Sequence, residues 1–171
     1  MADPIITTER LILRRFEASD HDAYHAIFAH PEVERWLLPV ASREESFRHM
    51  AMLEGFWHLR GTSMMAVERR EDGKLIGRCG PWHPPLAEGR EIEVGWTIAP
   101  EEQRRGYAAE AARASMAWAF ERFAPARIVH MIDDENTASQ GVARKIGSTP
   151  TDETVTHHIA GEIRLWAQEA S

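Results

Sequence analysis

The chain has 171 residues, 43% hydrophobic and 27% charged, with 27 acidic against 20 basic side chains for a net charge of −7. That is about one domain's worth of chain, able to bury roughly two-thirds of its unfolded surface without disulfides or a structural metal. The single cysteine, Cys79, excludes an intrachain disulfide and a Cys-rich zinc site, and the acidic balance argues against a general nucleic-acid binder.

No run approaches the ~20 apolar residues of a membrane span. The opening MADPIITTERLILRR carries acid and Arg where a signal peptide needs an apolar core. The expectation is one domain over residues 1–171, cytoplasmic, with neither nucleic acid nor membrane as partner.

In chain order, RLILRRF (10–16) predicts a strand. Ser19, with Asp22 three residues on, predicts a helix whose apolar side is Ala23, Ile27 and Phe28 and which Pro31 stops. Ser42 with Glu45 starts a second helix, presenting Phe47, Met50, Leu53 and Trp57 and ending near Gly61. Residues 63–69 and 74–80 read as strands joined by an Asp72-Gly73 turn, and 83–90 as a loop. EIEVGWTI (91–98) alternates, with Ile92, Val94, Trp96 and Ile98 on one face and Glu91, Glu93, Gly95 and Thr97 on the other. Residues 106–123 carry eight Ala or Gly and predict a helix that Pro125 closes. A strand follows at 127–133, then a short helix from Asn136 to Gly147, then a hairpin around Ala160-Gly161. The order β, αα, βββ, α, β, α, ββ is a mixed α/β layout.

The stretch from Glu93 to Ala111 is the informative one. A strand ends at Ile98, and Gly106 opens an Ala-rich helix. Amides at a helix start have no intrahelical partners and sit at the positive end of the helix dipole, so such a turn suits an anion. Glu101, Glu102 and Glu110 offset Arg104 and Arg105, so a phosphate there would be held mainly by backbone amides. The same turn also serves as a plain strand-to-helix reversal. Neither G-x-x-x-x-G-K-[ST] nor G-x-G-x-x-G after a strand is present.

Gln103-Arg104-Arg105-Gly106-Tyr107-Ala108 resembles the Q/R-x-x-G-x-G/A signature of the GNAT acyl-CoA N-acyltransferases. Gly95-Trp96-Thr97-Ile98-Ala99-Pro100 and Ala109-Glu110-Ala111 match that superfamily's core segment. Thr8-Glu9-Arg10-Leu11-Ile12-Leu13-Arg14, Asn136-Thr137-Ala138-Ser139 and Arg144-Lys145-Ile146-Gly147 resemble its ribosomal-protein-alanine acetyltransferase-like (RimJ/RimL-like) branch. The resemblance implies an α/β GNAT fold: a bent, mixed, mostly antiparallel sheet of six to seven strands with four helices, its central strands splayed. It implies acetyl-CoA, or another acyl-CoA, as donor, and no metal. The pyrophosphate would sit on Gln103, Arg104, Arg105, Gly106, Tyr107 and Ala108. The pantetheine arm would lie along the backbone of Trp96, Thr97 and Ile98 as an added strand does, with Asn136 both capping its helix and holding the arm. The family often forms homodimers, and the sequence does not fix the oligomeric state.

An amine attacking a thioester must be neutral, must lose a proton to a base, and needs donors for the oxyanion and a proton for the thiolate. By resemblance Glu93 is the base; the alternative is a solvent-facing strand Glu. The Trp96 or Ile98 N–H is the oxyanion donor. Where many relatives carry a thiolate-acid Tyr, this chain has Ala143, and its two tyrosines, Tyr24 and Tyr107, lie elsewhere. Ser139 is the substitute; the alternative is an ordinary first-turn Ser bonded to the Asn136 backbone. Trp36 and Trp82 either line the acceptor mouth, with Glu93, or pack as a lid. His21 and His25 have zinc-compatible spacing but no evident third ligand. The expected function is transfer of an acetyl group to a primary amine of a protein N-terminus or small molecule in a ternary complex; the alternative is a non-catalytic acyl-CoA sensor.

Overall fold

The computed structural model describes residues 2–37, 42–82, 91–157 and 161–170. The strands are β1 (Pro4–Thr7), β2 (Leu11–Arg14), β3 (Met65–Arg69), β4 (Leu75–Trp82), β5 (Ile92–Ile98), β6 (Arg127–Met131), β7 (Thr149–His157) and β8 (Gly161–Glu169). They form one sheet in the order β1-β2-β3-β4-β5-β6-β8-β7. The helices are α1 (His21–Phe28), α2 (Pro31–Glu34), α3 (Arg43–Arg60), α4 (Tyr107–Phe123) and α5 (Thr137–Ile146).

The described residues thus hold eight strands and five α-helices, against the six to seven and four expected. The additional strand is β1. Thr8 closes a tight turn, its Oγ1 accepting the Leu11 N–H at 3.0 Å, so the expected first strand is the second arm of a hairpin. The additional helix is the single turn α2, with Pro31 at its first position, where a missing N–H costs nothing. Ser19 does not start α1. A 3-10 turn, Ala18–Asp20, precedes that helix and runs into it, closed by the Asp20 carboxylate accepting the Glu17 N–H at 2.8 Å. Elsewhere the end signals act as read: Ser42 Oγ accepts the Glu45 N–H, Asn136 Oδ1 accepts the Ser139 N–H, and Gly61 and Gly147 end their helices in the left-handed region. The 83–90 loop, Ala160 and His158 lie outside the described residues.

The sheet divides the core in two. Leu13, Val67, Cys79, Val94, Ile98 and Ile128 face α4, whose Ala111, Ala112 and Ala119 are fully buried and let the helix lie close. Ala66 and Leu75 face α1 and α3, packing with Phe28, Met50 and Leu53. A register shift in the β3–β4 pairing lets Ile76 join the α4 side while Leu75 faces the other.

Every neighbouring pair is antiparallel except β5 and β6, which α4 connects in parallel. That pairing is short: Ile92 with Ile128 and Glu93 with Val129. Beyond it the strands part, and among the described residues Val94 to Ile98 have no neighbouring strand on that side. His130 sits at the fork. Its Nδ1 lies 2.6 Å from the Val94 carbonyl oxygen and its Nε2 2.8 Å from Ser148 Oγ. Nδ1 must donate to a carbonyl, so in the neutral ring Nε2 accepts from the Ser148 hydroxyl. Burial pushes this imidazole down to about 4, which keeps it neutral.

Candidate active site

Val94 turns its carbonyl to the fork rather than to β4, and the residue opposite it on β4, Pro81, has no N–H to pair. Ile98 does likewise, its carbonyl accepting from Gln103 Nε2 at 3.1 Å. By strand alternation the N–H groups of Trp96 and Ile98 face the fork, whereas Thr97 turns its backbone to Arg78 on β4. Of the three residues expected to meet a pantetheine arm, Trp96 and Ile98 therefore present open backbone groups.

Just beyond Ile98 lies the turn into α4. Gly106 takes φ +85°, which a β-carbon would strain. The amides at the start of α4 are left without intrahelical partners. The acidic residues around this turn are each answered. Glu110 binds Arg10, which also donates from Nη1 to the Arg105 carbonyl at 3.0 Å and lies over the Tyr107 ring at 4.6 Å. Buried Glu102 pairs with Arg69, Lys74 and Arg105. Arg104, exposed, has no ion pair among the described residues and leaves the turn positive. Ala108 lies half-buried in the first helical turn. The open edge of β5 and this turn suit an extended arm ending in phosphates, so the residues fit a CoA-type molecule.

Glu93 and Trp82 are cross-strand partners on the face of α1 and α3. Trp82 packs edge-on against Phe56, ring centroids 4.9 Å apart. Trp82 ends β4, which runs two residues past the expected strand. Burial pushes the Glu93 carboxyl up to about 7, against the opposing pull of the Met131 N–H and the Arg78 charge. A carboxylate that holds its proton until about pH 7 suits a base for an amine. Trp36 follows α2 and lies beneath the Arg35 guanidinium, 4.6 Å from it; its ring contact is with Arg35, not with Trp82.

The other face belongs to α5. Ala143 is fully buried among Ile132, Trp166 and Trp96, so indole rings fill the space around it. Ser139, in the first turn, engages Asn136 through its N–H; its hydroxyl has no hydrogen-bond partner among the described residues. The bond to the Asn136 backbone weighed for that hydroxyl is not formed. Glu93 and the helix that carries Ser139 thus belong to opposite sides of the sheet.

Sequence reasoning missed two groups here. His130 and Ser148 wedge the fork open. On the α1 and α3 face, Tyr24, His49 and Arg78 form a buried polar chain: Tyr24 Oη lies 3.0 Å from His49 Nδ1, and Arg78 Nη1 lies 3.2 Å from His49 Nε2. A lone polar residue in an apolar strand, Arg78 between Gly77 and Cys79, was the available signal. His21 is occupied by the Arg43 carbonyl and Ser46, and no group of three metal-ligating side chains occurs among the described residues.

The model of the acetyltransferase (GNAT) domain family matches residues 10–149. YoaA of Bacillus subtilis, an uncharacterized N-acetyltransferase, is 30% identical over 146 residues, covering 84% of this chain and 82% of that one. An acetyltransferase from Agrobacterium tumefaciens strain C58 superposes with a TM-score of 0.84 at 28% identity, covering 99% and 96%. RimL, a ribosomal L7/L12 α-N-protein acetyltransferase solved with coenzyme A, shares the fold with a TM-score of 0.80 at 20% identity, covering 98% of each chain. Open strand edge, helix-start turn and family match agree, and the chain belongs to the GNAT acetyltransferases.

Proposed function

We propose that the chain, as one domain over residues 1–171, transfers an acetyl group from acetyl-CoA to a primary amine, and that the fork between β5 and β6 is where donor and acceptor meet. The observation that carries this is the open edge of β5 beyond the Glu93–Val129 pair, which leads from the Glu93 carboxyl to the helix-start turn at Gly106. The donor supplies an activated thioester; the remaining steps fall to the chain. The amides from Gln103 to Ala108 and the Arg104 charge hold phosphates, and the Trp96 and Ile98 backbone holds the arm. Asn136 keeps its Nδ2 for that arm, since Oδ1 is spent on the cap. Glu93 accepts a proton from the incoming ammonium, directly or through water, so that the neutral amine attacks. A Trp96 or Ile98 N–H stabilises the developing oxyanion, and the Ser139 hydroxyl, without a hydrogen-bond partner among the described residues, returns a proton to the departing thiolate. Trp82, against Glu93, walls the acceptor side, with Trp36 as a further wall.

The shared fold with ribosomal-protein acetyltransferases supports the RimJ/RimL-like branch. No described helix is long and apolar enough to cross a membrane, which agrees with a cytoplasmic enzyme; its partners are the acyl donor and the amine, with a homodimer compatible with the family. The test is thiol release from acetyl-CoA across a panel of amines. Amine-dependent CoA release establishes the enzyme; tight acetyl-CoA binding with no release for any amine establishes the sensor reading instead.

A further inference from the structure

Arg14, Ala66, Arg78 and Thr97 are laterally paired across β2, β3, β4 and β5, so two arginines lie in one row on the face of α1 and α3. Both are buried, at 4% and 8% exposure. Arg14 is fully matched: Asp20 takes two of its N–H groups at 2.7 and 2.8 Å, and Glu68 takes Nε at 2.7 Å. Arg78 has no carboxylate within 4 Å among the described residues. Its neighbours are the Phe28 ring, 4.8 Å beneath, His49 and the Tyr24 hydroxyl, none of them an anion. Arg78 can only donate, so His49 Nε2 must accept and His49 must be neutral with its proton on Nδ1. Nδ1 then donates to Tyr24 Oη. Among the described residues no carboxylate pairs with the Arg78 charge; His49 only orients it. A buried, oriented, uncompensated guanidinium is costly unless something brings it an anion.

Glu93 stands on the same face four residues back along β5, near enough to feel Arg78 but outside ion-pair distance. One face therefore offers a cation-binding acid and an anion-binding base that do not satisfy each other. We propose that Arg78 anchors a carboxylate of the acceptor while Glu93 receives its amine, so that the acceptor is a free amino acid or a compound of that form. This rests on the acetyltransferase reading of the same site. It sets the chain apart from an enzyme for protein N-termini, where the carboxyl of the first residue is locked in a peptide bond.

The test is calorimetric binding of amino acids and their carboxamides, pair by pair, to the full chain with CoA present, beside CoA release from acetyl-CoA. At least one acid should bind tenfold or more tighter than its amide. Arg78→Met should erase that preference and Arg78→Lys should keep part of it, with thermal melting reporting folding of each. Equal binding of every acid and amide, or a preference surviving in Arg78→Met, overturns the proposal; the wild-type comparison alone decides if the variant does not fold. Acetylation of amides and peptide N-termini without any acid preference overturns it while leaving the acetyltransferase reading intact. Acid binding through Arg78 with no CoA release supports the carboxylate subsite and removes the acetyltransferase reading.

Discussion

Arg14 and Arg78 occupy the same row of the same sheet face, one strand to either side of Ala66. Around Arg14 the chain supplies two carboxylates and a carbonyl, which raise its affinity for its proton. Around Arg78 it supplies a neutral imidazole and a ring face. The difference shows what buried charge does in this molecule. At the β2 end it ties the N-terminal hairpin to the turn before α1. At the β4 end, next to the fork, it is left open. Identical side chains at similar burial thus serve structure in one place and recognition in the other, and the partners alone tell them apart.

The comparison breaks most sharply in stability. Arg14→Met strands Asp20 and Glu68 in the core, and breaking a buried pair from one side costs about 3–5 kcal/mol, so thermal melting should fall by about ten degrees or more. Arg78→Met removes a cation with no carboxylate partner and loses one hydrogen bond, so its stability should stay within about 1 kcal/mol of wild type. A large loss in Arg78→Met would make both arginines structural.

Glu93→Gln follows, with kcat/KM falling by roughly 10²–10⁴, the worth of a positioned base. The wild-type profile should drop about tenfold per unit below pH 7 and flatten above it, because the carboxylate form is the active one. Stability moves the other way. With its folded pKa raised to about 7, Glu93 destabilises the fold progressively from the ordinary carboxylate range up to pH 7 and fully above it. Glu93→Gln should therefore melt higher than wild type at pH 8 and nearly level with it at pH 4.

On the donor side, Gly106→Val forces a branched residue into φ +85° and should weaken acetyl-CoA binding by about tenfold or more in calorimetry, with strain of order 1–3 kcal/mol. His130→Phe leaves the Val94 carbonyl and Ser148 without partners, costing about 1–3 kcal/mol in denaturant unfolding and loosening donor binding. Ser139→Ala should be the mildest, lowering kcat by about tenfold or less with unchanged melting.

The legible parts of the fold were those written in local signals. Ser42, Asn136, Gly61, Gly147 and the Asp72-Gly73 turn each act through the backbone within a few residues, so spacing reveals them. The alternation of 91–98 likewise placed Glu93 opposite the α4 face. What was hidden depends on distant partners. The first helix grows out of a turn that Asp20 closes onto Glu17, and Arg14, across that turn, holds the Asp20 carboxylate. β1 is too short for a pattern and exists by pairing with β2. The fork is invisible in either strand alone, and Arg78, His49 and Tyr24 meet from three separate elements.

Cys79 lies wholly buried under α4, and burial pushes its thiol up to about 12. It is the chain's single sulfhydryl, and a thiol with so little thiolate is a poor partner for disulfide exchange. A disulfide dye added to the folded protein will therefore report almost nothing but the coenzyme's own sulfur as it is set free. The protein is silent in the channel where its reaction is read, and each turnover can be followed without a cysteine-free variant.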